Sequence, residues 1–134
     1  MSQENVETVR RVWEIVASEG IVDAVLESFT EDCVMEDFPE LPDRGVYVGR
    51  EGVREIARHF QEMWGDFVQE PVEFIDAGKD LVFGVVAMRG QGRDSGAPLD
   101  ASAFWVHELR DGRLARMRAF TTRAQALDAA GLSG

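Results

Sequence analysis

At Pro71 the hydrophobic period of this chain changes from helical to extended, and that switch constrains the fold more than any motif. Beyond it, Val72 to Ala77, Leu81 to Gly92, Leu99 to Leu109 and Arg113 to Thr121 are rich in β-branched, aromatic and other apolar side chains. Gly78-Lys79-Asp80, Arg93 to Pro98 and Arg110-Asp111-Gly112 separate them. Asp-Gly between two apolar runs is a strong hairpin signal, so the four runs predict an antiparallel meander. Gly90, Gly92 and Gly96 mimic a phosphate loop only superficially. They precede a strand rather than a helix and have the wrong spacing, which fits a long hairpin loop.

Before the switch the pattern is helical. Val6, Val9, Trp13 and Val16 fall at helical spacing within Gln3 to Ser18, with charged residues largely on the remaining face. Ser2 suits an N-cap and Gly20 a stop. Val22, Val25, Leu26 and Phe29 form a second, shorter stripe, and Thr30-Glu31-Asp32 is expected to turn the chain into a strand. Glu40 to Val48 carries two prolines and a glycine without clear period and reads as a loop. A third helix follows Gly49, with Val53, Ile56, Ala57, Phe60, Met63 and Trp64 along one face. At the far end Thr122 and Gln125 fit a capping box for a short final helix, and Gly131-Leu132 fits a C-terminal cap in which Leu132 meets Leu127. Helices first and a sheet afterwards predict an α+β fold, with the helices on one face of a strongly curved sheet and residues 1–134 as one domain.

Charge narrows the partners. Fourteen basic against 25 acidic residues leave a formal net charge of −11, and no basic run with interleaved aromatics occurs, so nucleic acid and anionic membranes are not expected partners. The single cysteine, Cys33, excludes an internal disulfide and any CxxC motif. The N-terminal residues lack the basic and apolar regions of a signal peptide, and no apolar run reaches membrane-spanning length, so a cytoplasmic location is expected. No HExxH, GxSxG or EF-hand pattern is present, the two histidines have no metal-ligand spacing, and neither metal nor cofactor is expected.

Chemistry concentrates in Cys33-Val34-Met35-Glu36-Asp37-Phe38-Pro39, a short strand pattern with two adjacent carboxylates before a proline stop. Successive strand side chains alternate, so Cys33, Met35 and Asp37 share one face and Val34, Glu36 and Phe38 the other. One acid must face inward, unless the strand frays and leaves it solvated. An inward acid loses hydration, which disfavours its charged form and suits a general base working near neutral pH. His107 alternates with Ala103 and Trp105 on one face of a central strand, and fits either a hydrogen-bonded structural histidine or a catalytic one. His59 sits at the polar border of the third helix and reads as a surface residue.

Taken together, this element order, the Thr30-to-Asp37 strand, the Gly49-Arg50-Glu51-Gly52 helix start and the Arg110-Asp111-Gly112-Arg113 hairpin resemble the SnoaL-like polyketide cyclase and ketosteroid isomerase group. That group lies in the superfamily resembling nuclear transport factor 2, also described as a cystatin-like roll, and the resemblance spans essentially the whole chain. It implies a cone, in which a curved sheet and helices enclose a pocket, and a homodimer packed through the outer sheet faces. It also implies that Asp37, in Met35-Glu36-Asp37, holds the place of the isomerases' base. Trp13 stands at the position of the family's tyrosine donor, and Trp105 at that of its protonated aspartate and of the cyclases' essential acid. Both donors are therefore replaced, and the Asp-Arg-Asp arrangement of related epoxide hydrolases has no counterpart.

Two function classes follow. One is a cofactor-independent isomerase or cyclase in which Asp37 abstracts a proton beside the carbonyl of a small hydrophobic compound, while His107 or an indole N–H polarises the oxygen. The other is a non-catalytic protein of the same fold that binds an apolar ligand. In both, Trp13, Met35, Phe60, Trp105 and Met117 are expected to line the pocket. Apolar side chains on both faces of the long strands, such as Phe104 and Val106 opposite Trp105, point to a homodimer.

Overall fold

The computed structural model describes residues 2–41 and 45–132. The chain runs α1 (Ser2–Glu19), α2 (Asp23–Glu27), β1 (Phe29–Glu36), β2 (Val46–Val48), α3 (Gly49–Met63), β3 (Trp64–Gly78), β4 (Leu81–Gly92), β5 (Pro98–Arg110), β6 (Arg113–Phe120) and α4 (Arg123–Ala129). Six strands form one curved, unclosed sheet in the order β2-β1-β6-β5-β4-β3. The α+β fold and the four-stranded meander are as expected. Both tight hairpin turns have left-handed central residues, Lys79 and Asp80 in one, Asp111 and Gly112 in the other, which matches the right-handed twist of the strands they join.

Four local expectations are corrected. The Thr30–Asp32 segment is not a turn but part of β1, which runs parallel to β6, with a register shift between Phe29 and Val34 absorbing the extra residues. Val46–Val48, read as loop, forms a short edge strand antiparallel to Val34–Glu36, while positions 42–44 of that segment lie outside the described residues. Strand β3 begins at Trp64, not at Val72, because the long β4 needs a partner along its whole length. Pro71 is tolerated inside β3 because β3 is an edge strand and its missing N–H interrupts no inner ladder. Lastly, Ser2 is already helical rather than standing ahead of the helix.

Irregularities in β3, between Gly65 and Val68, Pro71 and Glu73, and Asp76 and Gly78, bend that edge around the helices. The main core lies on the concave side, where Val9, Val12 and Trp13 of α1 and Val53, Ile56 and Phe60 of α3 meet Val82, Val86, Trp105 and Met117 of the sheet. Helix α4 covers part of the convex side: Ala126 and Ala130 bury Phe83, Val85 and Val106. Contrary to expectation, the helices therefore do not all lie on one face, and Val106, expected to need a partner, is only 1% exposed within one chain. Thr122 and Gln125 form the expected capping box, and the Leu132 N–H donates to the Leu127 carbonyl at 2.8 Å. Arg123 fastens the helix to β3 through two bonds to Glu73, at 3.0 and 3.1 Å, with its guanidinium over the Phe83 ring.

Candidate functional site

Alternation sends Glu36 and Asp37 to opposite faces, and burial shows that Asp37 is the acid that enters the fold. Cys33, Met35 and Asp37 are buried, Asp37 to 2% exposure, while Glu36 turns outward and pairs with Arg116 at 2.6 Å. Asp37 directly follows β1, its Oδ1 accepting from the Phe38 N–H at 2.8 Å and its own N–H donating to the Gly45 carbonyl at 3.1 Å. Tyr47, opposite Met35 in the β1–β2 ladder, has its phenol pKa pushed up first by burial and then by the negative charge of Asp37. Sequence reasoning missed Tyr47 because it lies in a segment without period.

On the concave side is a cavity of about 50 Å³. Trp13, Met35, Phe60, Trp105 and Met117, each from a different element, all line it, so the five expected pocket residues come together. Gln69 joins them as a polar wall residue; it lies in the part of β3 that the sequence reading left unassigned, because Phe67-Val68-Gln69-Glu70-Pro71 carries no apolar alternation and only the structure turns Phe67, Gln69 and Pro71 to one side. No charged side chain is on the wall among the described residues. Phe60 continues the wall towards Asp37 through an edge-on contact with Phe38, ring centres 6.4 Å apart, and stacks on Phe67 at 5.7 Å. Asp37 and His107 are not themselves on the cavity wall. Asp37 follows two residues after Met35 on the same face, roughly 7 Å further along the strand.

Behind the wall sits His107, with no exposed surface. The Trp13 Nε1–H donates to His107 Nε2 at 2.9 Å, and His107 Nδ1 lies 2.9 Å from the Val82 carbonyl. An indole can only donate, so Nε2 must be the bare nitrogen and Nδ1 must carry the proton, which it gives to Val82. Burial lowers the His107 pKa to about 4, with the Val82 carbonyl pulling the other way, so the ring is neutral at pH 7. Both of its nitrogens are engaged by the protein itself. Phe74 packs against the ring, and Gly84 makes room for both: a Cβ there would lie 2.8 Å from Phe74 and 2.9 Å from His107. His59 is exposed on α3, as expected.

The second indole at the site is different. Trp105 tilts against Trp13, ring centres 5.6 Å apart, and its Nε1 is buried without a hydrogen-bond partner among the described residues. Of the two indoles, Trp13 is thus satisfied inside the protein, while the Trp105 N–H is buried without a partner among the described residues.

Known structures share this architecture. Bal32a, from a soil-derived mobile gene cassette, superposes with a TM-score of 0.80 at 22% identity, over 96% of each chain. SalBIII, an epoxide hydrolase/cyclase-like enzyme of pyran ring formation in the polyether salinomycin, gives 0.70 at 26% identity, over 90% of this chain and 92% of its own. A putative polyketide cyclase from Sinorhizobium meliloti gives 0.65 at 22% identity, over 89% and 98%. No functionally curated protein matches the sequence. No described helix is long and apolar enough to cross a membrane. The SnoaL-like domain profile matches residues 9–117, and the chain belongs to that family.

Proposed function

We propose that this chain takes a small hydrophobic carbonyl compound into its cone and that Asp37 acts there as a proton-transfer base, giving a cofactor-independent isomerase or cyclase. The observation that carries this reading is a carboxylate only 2% exposed on the same strand face as the cavity-lining Met35. A buried carboxylate that faces the same way as a cavity-lining residue is in place to act as a general base on a ligand that extends to it. A substrate seated in the cavity and extending past Met35 along Phe38 and Phe60 brings its α-carbon to Asp37. SalBIII, an epoxide hydrolase/cyclase-like enzyme of pyran ring formation, is in keeping with a cyclase reading for this fold. His107 serves by holding Trp13 in place rather than by touching substrate, since both its nitrogens are engaged.

That same engagement favours a second reading, a binding protein without catalysis, because neither Trp13 nor His107 has a proton to offer a ligand. Deuterium exchange of the α-protons of small cyclic ketones separates the two: catalysed exchange that disappears in Asp37→Asn supports the enzyme, and binding without exchange supports the passive pocket. We also read the protein as a cytoplasmic homodimer. A lone, buried Cys33 thiol, whose pKa burial pushes up, suits a reducing compartment. Val46 and Val48, 61% and 63% exposed on β2, with Val68 and Ile75 on β3, leave apolar surface for a second copy.

A further inference from the structure

We infer that Tyr47 and Asp37 form a two-sided hydroxyl site at the β1–β2 end of the cone, which takes an alcohol or enol O–H in preference to a carbonyl oxygen. The inference rests on the proposed approach of a ligand to Asp37, but not on proton transfer by that residue.

Placement comes first. Tyr47 is opposite Met35 in the β1–β2 ladder, and paired residues project to the same face, so its side chain leaves the sheet beside a residue of the cavity wall. From there it leans along the strands over Gly45. A Cβ on Gly45 would lie 2.7 Å from Cε2, 2.8 Å from Cζ and 2.9 Å from the hydroxyl oxygen of Tyr47, so the missing side chain gives the phenol its seat. Gly45 in turn accepts the Asp37 N–H at 3.1 Å, which sets Asp37 across from it. Side chains across such a pair start roughly 4.5–5.5 Å apart, so the Tyr47 hydroxyl stands within a few ångströms of the Asp37 carboxylate. The hydroxyl nevertheless has no hydrogen-bond partner among the described residues, and Tyr47 is half-buried rather than enclosed.

Hydrogen-bond direction and charge then decide what fits between the two. Burial first and the negative charge of Asp37 second raise the Tyr47 pKa, so the phenol stays protonated and offers a donor. Asp37 offers acceptors: a carboxylate accepts at about four sites, and the Phe38 N–H takes one. A ligand hydroxyl answers both, donating to Asp37 and accepting from Tyr47. A ketone oxygen can only accept, and it turns its lone pairs towards a negative charge. A carboxylate or phosphate is repelled by Asp37, and an ammonium leaves the Tyr47 donor unused. Keto and enol forms differ only in whether one proton sits on carbon or on oxygen, so a pair that holds the hydroxyl favours the enol of the carbonyl compounds proposed above. The apolar body of the ligand goes to the cavity of about 50 Å³, where Met35 and Met117 are unbranched and adaptable.

Tyr47 is the only tyrosine in the chain, so 13C at the tyrosine Cζ gives one NMR signal that reports on its hydroxyl. The probes are cyclopentanol and cyclopentanone, matched in size and titrated at neutral pH. The wild type should bind the alcohol roughly five- to tenfold more tightly than the ketone, with the Tyr47 signal moving in both titrations. Asp37→Asn, whose amide donates as well as accepts, should bind the two equally. Tyr47→Phe should weaken both by roughly fivefold while the alcohol stays ahead. Equal binding of the two by the wild type, binding of neither at tens of millimolar, or binding that leaves the Tyr47 signal unmoved, as a hydroxyl held by Gln69 would, overturns the inference. The wild-type titrations decide it even where a variant does not fold. They also separate it from proton transfer: an alcohol preference without catalysed α-proton exchange upholds this site and removes the base, and catalysed exchange without the preference does the reverse.

Discussion

The Trp13 indole N–H donates to Nε2 of His107 across 2.9 Å, joining the first helix to the middle of the sheet through residues 94 apart in sequence. The bond fixes the tautomer of a histidine with no exposed surface and spends, inside the protein, a donor that would otherwise face the cavity. It also makes the folded protein sensitive to acid. His107 is neutral when folded, with a pKa near 4, but titrates near 6.5 when unfolded. Above about pH 6.5 neither state binds the proton and stability is unaffected. As pH falls from there towards 4, only the unfolded state is protonated, and stability drops by an amount approaching ~3 kcal/mol. Urea unfolding of the wild type and His107→Gln at pH 7.5, 6 and 4.5 checks this: the wild type should lose more stability across that range than the variant.

Removing the donor tests the same bond from the other side. Trp13→Phe keeps the ring against Trp105 but leaves Nε2 of His107 buried without a donor, which should cost ~1–3 kcal/mol. Chemical denaturation at pH 7.5 measures it, and a loss within error of zero would mean that water replaces the indole.

Gly84 is a packing counterpart. A methyl group there would lie 2.8 Å from Phe74 and 2.9 Å from His107, rings that the surrounding core holds in place. Gly84→Ala should destabilise the fold by ~1–3 kcal/mol, read as a lowered unfolding temperature, despite alanine's ordinary tolerance in strands.

Assembly can be tested at β2. Sedimentation equilibrium at micromolar concentration should give twice the chain mass, and Val48→Asp, which puts a charge on a side chain 63% exposed in one chain, should shift the protein towards monomer with little change in the fold. A wild-type monomer would withdraw the homodimer.

Much of this fold was legible because period and turn chemistry agree along most of the chain. The β4 and β6 runs, both Asp-containing hairpin turns and the Thr122 capping box are local signals, and they lie where their chemistry places them. What failed was non-local. Thr30–Asp32 is strand only because β6 offers a parallel ladder, and Trp64–Pro71 is strand only because β4 needs a partner. The outer face read as dimer surface because the amphipathic match between α4 and Phe83, Val85 and Val106 depends on how the last helix folds back. At the site, alternation along Cys33–Asp37 left open which acid turns inward, and burial chooses Asp37. The pairing of Trp13 with His107, and therefore the distinct state of Trp105, could not be read from residues so far apart in the chain.

The central claim is that Asp37 moves a proton, and α-proton exchange tests it most directly. Asp37→Asn preserves the size of the side chain and the oxygen that accepts from the Phe38 N–H, so the fold should persist with an unfolding temperature close to that of the wild type. Deuterium incorporation beside the carbonyl of a bound cyclic ketone in D2O, followed by proton NMR, should be catalysed by the wild type and fall by roughly 10²- to 10⁴-fold in the variant. Exchange that persists undiminished in a folded Asp37→Asn, with the ketone still bound, would contradict the account and remove Asp37 from the chemistry.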